Sequence, residues 1–460
     1  MAIWIATAAF SAGALAGARG TPIPIAVGLI LLAFRPMARD AAVAAASCAL
    51  AFGCGALLAG LDREPAALST IARSVPRCSV EATILERAGS FGSLMVVDAL
   101  RCPEESFSGD IGIAVVREIE DDPGSTVSGQ GWLVPLTTAQ SDLSARRMGA
   151  VARIRFRDHE VGEPSGAVHR TTANLRAALV DATGDISQRA AGLLRGLTIG
   201  DTTQIDYPTV QAFRDSGLSH LVAVSGSNVA IVVGAAVFAA RNSSLRMRTG
   251  MAAGCLILFV LVVGPEPSVL RAAAMGSLAL VALLSGRATE PIAALGVATS
   301  IVIALRPEMV HSAGLHLSVA ATAGIVLFGS GFSRRLGRLP RPVALVLGAT
   351  LGAQVAVAPV VVGTFGEFSV VAPLSNLVAA PAVPPATVLG LGAALLHALW
   401  PPLGRATMAL AEPFAAWILW VADVSAAIPY AAITVPRLAG VLVAVPVGWF
   451  AIRAARRRVG

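Results

Sequence analysis

The sequence predicts a polytopic α-helical membrane protein of about twelve spans, with a small β-domain inserted after the third. Three observations predict it. Of 460 residues, 55% are hydrophobic and only 14% charged, where soluble domains carry about a quarter charged, and mean hydropathy is +0.73. Apolar runs of near-spanning length recur from Met1 to Phe450. A single stretch, residues 61–166, interrupts them with short segments broken by Gly, Pro, Asp and Ser.

Residues 1–18, 22–34 and 41–60 are apolar and are read as the first three spans. No basic residue precedes the first, which argues against a secretory signal peptide. Within residues 61–166 the runs 79–85, 94–100, 111–116, 132–136 and 150–156 are β-prone and short, as expected of a small barrel or sandwich. Leu175, Leu179, Ile186 and Leu193 then recur among Arg and Asp, predicting one amphipathic helix over 168–194. Nine further apolar segments follow, at 221–240, 249–264, 268–285, 291–305, 312–329, 342–363, 370–397, 406–428 and 437–452. Pro373, Pro381, Pro384 and Pro385 interrupt the seventh, which reads either as one span or as two half-helices. The domains expected are therefore residues 1–60, 61–166, 167–200 and 201–460.

Charge placement orients these spans. The sequence contains no lysine, so all 35 basic residues are arginine. GC-rich coding accounts for that bias, yet it leaves side chains that stay charged when partly buried and hold a phosphate through two parallel hydrogen bonds. Clusters occur at Arg35/Arg39, Arg241/Arg246/Arg248, Arg334/Arg335/Arg338/Arg341 and Arg453/Arg456/Arg457/Arg458. Twelve spans with a cytoplasmic amino terminus place all four inside, as the positive-inside rule requires, and put residues 61–166 outside. Cys78 and Cys102 lie in that external stretch, where a disulfide is permitted and two free thiols are the alternative. Cys48, Cys54 and Cys255 lie within apolar runs and behave as small hydrophobes. No zinc-type spacing and no phosphate-binding GxxxxGK[ST] loop occurs, so neither a metal nor another cofactor is expected, and any driving force for transport comes from elsewhere.

Polar groups inside spans cost free energy unless they face protein or water, so they direct attention. The densest group is Asp215-Ser216-Gly217-Leu218-Ser219-His220, followed by Ser225-Gly226-Ser227-Asn228. Small residues for helix packing are the bland reading of this stretch, and the lining of a polar path is the sharper one. A Ser–His hydrolase is disfavoured, because His220 and Ser225 are five apart and fall on opposite sides of a helix. Further polar sites are Glu266, Arg271, His311, His316, Ser318, Gln354, Glu367 and Ser375-Asn376. Arg271 either snorkels to the surface or faces a lumen, and Glu367 fits an external loop as a solvated carboxylate.

Five stretches resemble, in order and spacing, the ComEC competence family. They are Gly196-Leu-Thr-Ile-Gly200-Asp201, Phe213-Arg-Asp215-Ser-Gly217-Leu-Ser219-His220-Leu-Val-Ala-Val-Ser225-Gly226, Pro267-Ser-Val-Leu-Arg271-Ala-Ala-Ala-Met275, Leu317-Ser318-Val-Ala-Ala321-Thr322-Ala-Gly324-Ile325 and Pro373-Leu-Ser375-Asn376-Leu-Val-Ala-Ala-Pro381. The chain departs from the family in having Ser227-Asn228-Val229 where many relatives have Leu-His-Val, and Leu315-His316 where Phe-Gln is usual. The resemblance implies an OB-like external domain at the insert and transport of single-stranded DNA across the cytoplasmic membrane during natural transformation. Many members end in a metallo-β-lactamase-like nuclease domain. No HxHxDH motif occurs here, so no enzymatic activity is expected of this chain. An external DNA receptor, a separate nuclease and a cytoplasmic ATP-driven motor are the implied partners, alongside the strand itself and membrane lipids.

On that reading Asp215, Ser219, His220, Ser225, Asn228, Arg271, His316, Ser318, Glu367 and Asn376 line the path. Arg146, Arg147, Arg153, Arg155 and Arg157 form a basic stripe on the insert. The insert as a whole is acidic, with 16 Asp and Glu against 11 Arg, so DNA capture there rests on the stripe alone. A small-solute or lipid-linked transporter with a β-domain is the alternative.

Overall fold

The computed structural model describes residues 67–436, apart from 73–76, 88–92, 104–105, 137–149, 265–266, 286–289, 306–312 and the single positions 118, 120, 122, 165 and 223. The chain divides into two compact units, Ala59–Ala177 and the remainder from Ala178 onward together with the first residues. The three amino-terminal spans and the segment 437–452 lie outside the described residues, as do Arg146, Arg147, Glu266 and His311.

The first unit holds a short helix α1 (Ala67–Ala72) and five strands: β1 (Arg77–Arg87), β2 (Ser93–Arg101), β3 (Ser106–Val116), β4 (Thr126–Pro135) and β5 (Ala152–Val161). They close into a barrel in the order β1-β2-β3-β5-β4. All pairs are antiparallel except β3 with β5, a short parallel contact at Ala114 and Ala152. Each expected strand is present and longer than its apolar run, because flanking residues such as Arg77, Arg101 and Thr126 still join the ladders. Alternation decides the faces. Cys78, Val80 and Ala82 on β1, Val127 and Leu133 on β4, and Ile154 on β5 point inward with Leu68 of α1. Cys78 and Cys102 are joined in a disulfide with Cα atoms 4.3 Å apart, tying the start of β1 to the end of β2.

The single amphipathic helix expected over 168–194 is two helices, α2 (Ala167–Ala182), which runs across the boundary between the units, and α3 (Gln188–Ile199) of the second. The chain turns at Thr183-Gly184-Asp185, where Thr183 Oγ1 donates to the Val180 carbonyl and accepts from Arg195. Hydroxyl bonding of this kind competes with the helical ladder. α3 buries Leu193, Leu194 and Leu197. After it come α4 (Tyr207–Asp215), a 3₁₀ turn (Ser219–Leu221), α5 (Gly226–Ala239), α6 (Leu245–Val263), α7 (Pro267–Leu284) and α8 (Pro291–Leu305). α9 (Ala313–Gly324) continues through a π-helical turn (Ile325–Gly329) into α10 (Ser330–Arg335) and is followed by α11 (Arg341–Phe365). A short strand β6 (Glu367–Ser369) precedes α12 (Ala372–Ala379), α13 (Val383–Leu399) and α14 (Pro401–Ala426), and pairs with β7 (Ala432–Thr434).

Each later apolar segment among the described residues is thus helical. Four helical stretches are long and apolar enough to cross a membrane: Leu245–Val263, Gly314–Arg335, Arg341–Phe365 and Pro401–Ala426. α12 and α13 add a fifth if their pair, bent by 52°, counts as one span, and this break matches the half-helix reading of the proline-rich segment. Gly226–Ala239, Ser268–Leu284 and Pro291–Ile303 are apolar but shorter. The described residues therefore supply fewer full-length spans than the twelve expected.

Two packing devices hold this unit. Gly324 and Gly352 press backbone to backbone where α9 crosses α11, and a Cβ at Gly324 would lie 2.3 Å from the Gly352 carbonyl oxygen. Small residues permit this approach in apolar helices. On α14 the charged groups face the polypeptide around α3. Asp423 accepts two bonds from Arg189, at 2.9 and 3.0 Å, and Glu412 accepts from the Ser187 amide at 2.9 Å. A helix otherwise apolar thereby gives its carboxylates partners.

Candidate functional site

The polar residues singled out between 215 and 228 do not lie on one helix. α4 ends at Asp215, the 3₁₀ turn carries Ser219 and His220, and α5 begins only at Gly226. His220 and Ser225 therefore do not share a helix on which to take opposite faces, since a turn and an extended residue separate them. The Ser225 hydroxyl is engaged with Ser227 Oγ and Asn228 Oδ1. His220 is exposed and bonds the Gly217 backbone.

Two groups of interactions emerge. The first is built on the turn after α4. Gly217 adopts φ +74°, and a Cβ there would sit 2.3 Å from Ala372 Cβ, so both the left-handed backbone and the close approach to α12 require glycine. Ser369 Oγ donates to the Asp215 carbonyl at 2.8 Å, and Gln354 Nε2 donates to the Ser369 carbonyl at 2.8 Å. The Asp215 carboxylate accepts from Gln211 at 2.9 Å. Glu367, two residues before Ser369, is half-buried opposite Thr434. Asn376 turns its amide back onto the Ala372 carbonyl of its own helix.

The second group joins α3, α5, α7 and α9. Asn228 is fully buried, and its Nδ2 donates to the Leu197 carbonyl at 3.0 Å. That carbonyl lies in the last turn of α3, where no amide of the helix reaches it. Ser268 Oγ donates to the Val224 carbonyl at 3.0 Å. Arg271 is only 6% exposed; its Nε donates to Ser318 Oγ at 2.8 Å and its Nη1 contacts Met275 Sδ at 3.2 Å. Arg271 therefore does not snorkel. It lies inside the helical unit against Gly226, where a Cβ would come 2.6 Å from Nη2. His316 is exposed on α9, one helical turn's fraction from Ser318.

On the barrel, Arg155 lies opposite Trp132 on β4, and Trp132 lies opposite Arg77 on β1. The three form a row on the outer face, with Arg77 over the indole at 5.8 Å and its Nη2 donating to Gln130 Oε1 at 2.7 Å. Arg153 is half-buried opposite Val134. A β-bulge at Gln130/Gly131 takes Arg157 out of this register, and Arg157 pairs loosely with Asp158 at 3.9 Å. Sequence reasoning missed Arg77, and no spacing rule would have selected it. No group of three or more metal-ligating side chains occurs among the described residues.

An apolar helical unit with helices long enough to cross a membrane, attached in sequence to a small closed barrel, has the character of a membrane protein. The family model for "Competence protein" matches residues 197–459, more than half the chain, and the chain belongs to that family, the ComEC/Rec2 competence proteins. ComE operon protein 3 of Bacillus subtilis (strain 168) is 26% identical over 241 residues, covering 50% of this chain and 29% of that protein. The chain thus spans under a third of its relative's length. No solved structure matches it.

Proposed function

We propose that this protein passes single-stranded DNA across the cytoplasmic membrane during natural transformation, as a multi-pass inner-membrane channel with its barrel outside. The observation that carries the reading is membership of the competence family, whose match covers the helical unit containing both polar groups. The order β1-β2-β3-β5-β4 is that of an OB-like barrel, a fold suited to single strands. Arg77, Trp132 and Arg155 supply a stacking surface between two guanidiniums, a combination that takes bases and phosphates without sequence preference. The Cys78–Cys102 disulfide suits an oxidising exterior.

The proposed role is that of a path, not an enzyme. Among the described residues Ser225 is hydrogen-bonded to neutral neighbours and to no histidine that could activate it. An external receptor, a separate nuclease and an ATP-driven motor would complete the machine. Deletion should abolish entry of labelled DNA into the cytoplasm while surface binding of that DNA persists. Unimpaired entry would refute the reading. A thiol engineered at Asp121 should react with an impermeant reagent from outside and one at Val459 should not; the opposite pattern would invert the topology.

A further inference from the structure

We infer that Arg271 and the amino terminus of α5 form a seat for one backbone phosphate of the single strand, an assignment that rests on the DNA-path reading above. The charge of Arg271 is unbalanced among the described residues. Arg271 is 6% exposed, yet its bonding partners are the neutral Ser318 hydroxyl and Met275 sulfur. No carboxylate pairs with it among the described residues, and Nη2 donates to nothing there. A guanidinium keeps its proton, so burial without a counter-charge is unfavourable until an anion arrives.

The second observation is independent of the first. α5 runs for 14 residues from an uncapped end, because Ser225 makes no capping bond and turns its hydroxyl toward Ser227 and Asn228. Of the first amides, Asn228 N–H reaches the Ser225 carbonyl at 3.0 Å, while that of Gly226 has no backbone acceptor among the described residues. The positive end of the helix dipole is left open there. The two features meet at one point. A Cβ on Gly226 would fall 2.6 Å from Arg271 Nη2, so the free edge of the guanidinium is aimed at the first turn of α5.

The remaining polar groups nearby are committed elsewhere, Ser268 to the Val224 carbonyl and the Asn228 amide to the Leu197 carbonyl. What stays uncommitted among the described residues is Nη2 and the Gly226 amide, beside the exposed Ser227 at the rim. A phosphodiester has one negative charge and two non-bridging oxygens, which a guanidinium edge and a helix amide satisfy together. Such a seat grips the backbone and ignores the base, as passage of arbitrary sequence demands.

The test uses the full chain in phosphatidylcholine nanodiscs with fluorescent oligo(dT) as probe, titrated over a salt series. Arg271→Gln should lower the log–log salt slope by about 0.7, the contribution of one single-strand phosphate contact. Arg271→Lys should keep the slope, and Gly226→Ala, which displaces Nη2, should flatten it. Barrel arginines contribute equally to every variant, so the difference isolates this seat. A wild-type slope in either Arg271→Gln or Gly226→Ala overturns the inference, and the second variant serves if the first does not fold. If Arg271→Gln leaves oligonucleotide binding intact but abolishes thermal stabilisation by added phosphatidylglycerol, the ligand is a lipid headgroup and the DNA assignment falls. No binding of oligo(dT) by the wild-type chain would sink the DNA-path reading itself.

Discussion

Asn228 offers the sharpest test of how the helical unit is held together. Its Nδ2 lies 3.0 Å from the carbonyl of Leu197, a residue 31 positions earlier, and neither water nor lipid reaches the fully buried side chain. Asn228→Ala removes the donor and leaves a buried acceptor at the end of α3 without a partner, at a cost of about 1–3 kcal/mol. The Ser225 hydroxyl loses its Oδ1 acceptor at the same time, but it retains Ser227. For a unit of a couple of hundred residues each kcal/mol lowers the midpoint by roughly 2–4 °C. The fall should therefore be about 2–12 °C for the purified chain in detergent. Asn228→His is the discriminating control. Many competence relatives place His at this position, and an imidazole N–H can donate to the same carbonyl, so most of the loss should be restored. A midpoint unchanged by Asn228→Ala, or a His variant as weak as the Ala variant, would refute the proposed tie between α3 and α5.

Three further expectations follow from the geometry. Replacing Cys78 and Cys102 by Ser opens a link of sequence separation 24 and should cost the barrel about 3.5 kcal/mol by loop entropy, read as faster protease cleavage within it; equal resistance would show the barrel core suffices. Gly217→Ala meets both the positive φ and the contact with Ala372, so it should destabilise by more than the roughly 1 kcal/mol of backbone strain alone, measured as thermal midpoint; a shift smaller than that would mean the turn relaxes. Ser225→Ala should leave DNA uptake near wild type; loss in Ala with retention in Thr would mean the hydroxyl takes part in chemistry.

Much of the architecture was legible because it depends on local pattern. Short β-prone runs broken by Gly, Pro, Asp and Ser announced all five barrel strands, and the prolines offered the break between α12 and α13 as one of two readings. Charge and compartment reasoning left a Cys78–Cys102 bridge open, and the structure closes it. Non-local pairing was hidden. Arg77 meets Trp132 only because β1 and β4 are neighbours in the closed barrel, a relation that no spacing in the chain encodes. The bulge at Gln130/Gly131 undid the simple i, i+2, i+4 stripe of Arg153, Arg155 and Arg157. Gly226 read as a generic small residue until Arg271 was found against it. The division between α2 and α3 was missed because the apolar residues keep a helical rhythm across a turn set by the Thr183 hydroxyl.

The bend between α12 and α13 has a consequence for ion preference. Positions 381, 384 and 385 are prolines, which carry no amide hydrogen, and the Ala382 amide is used by the Ala379 carbonyl. An interrupted helix in an apolar slab ordinarily exposes donors and acceptors alike. Here donors are scarce, and the Val378 carbonyl beside the break takes its hydrogen bond from the Trp417 indole at 2.9 Å. A phosphate finds few donors at such a bend. The helical unit therefore sorts its polarity by position, with donors gathered at Gly226 and Arg271 and few at the proline bend.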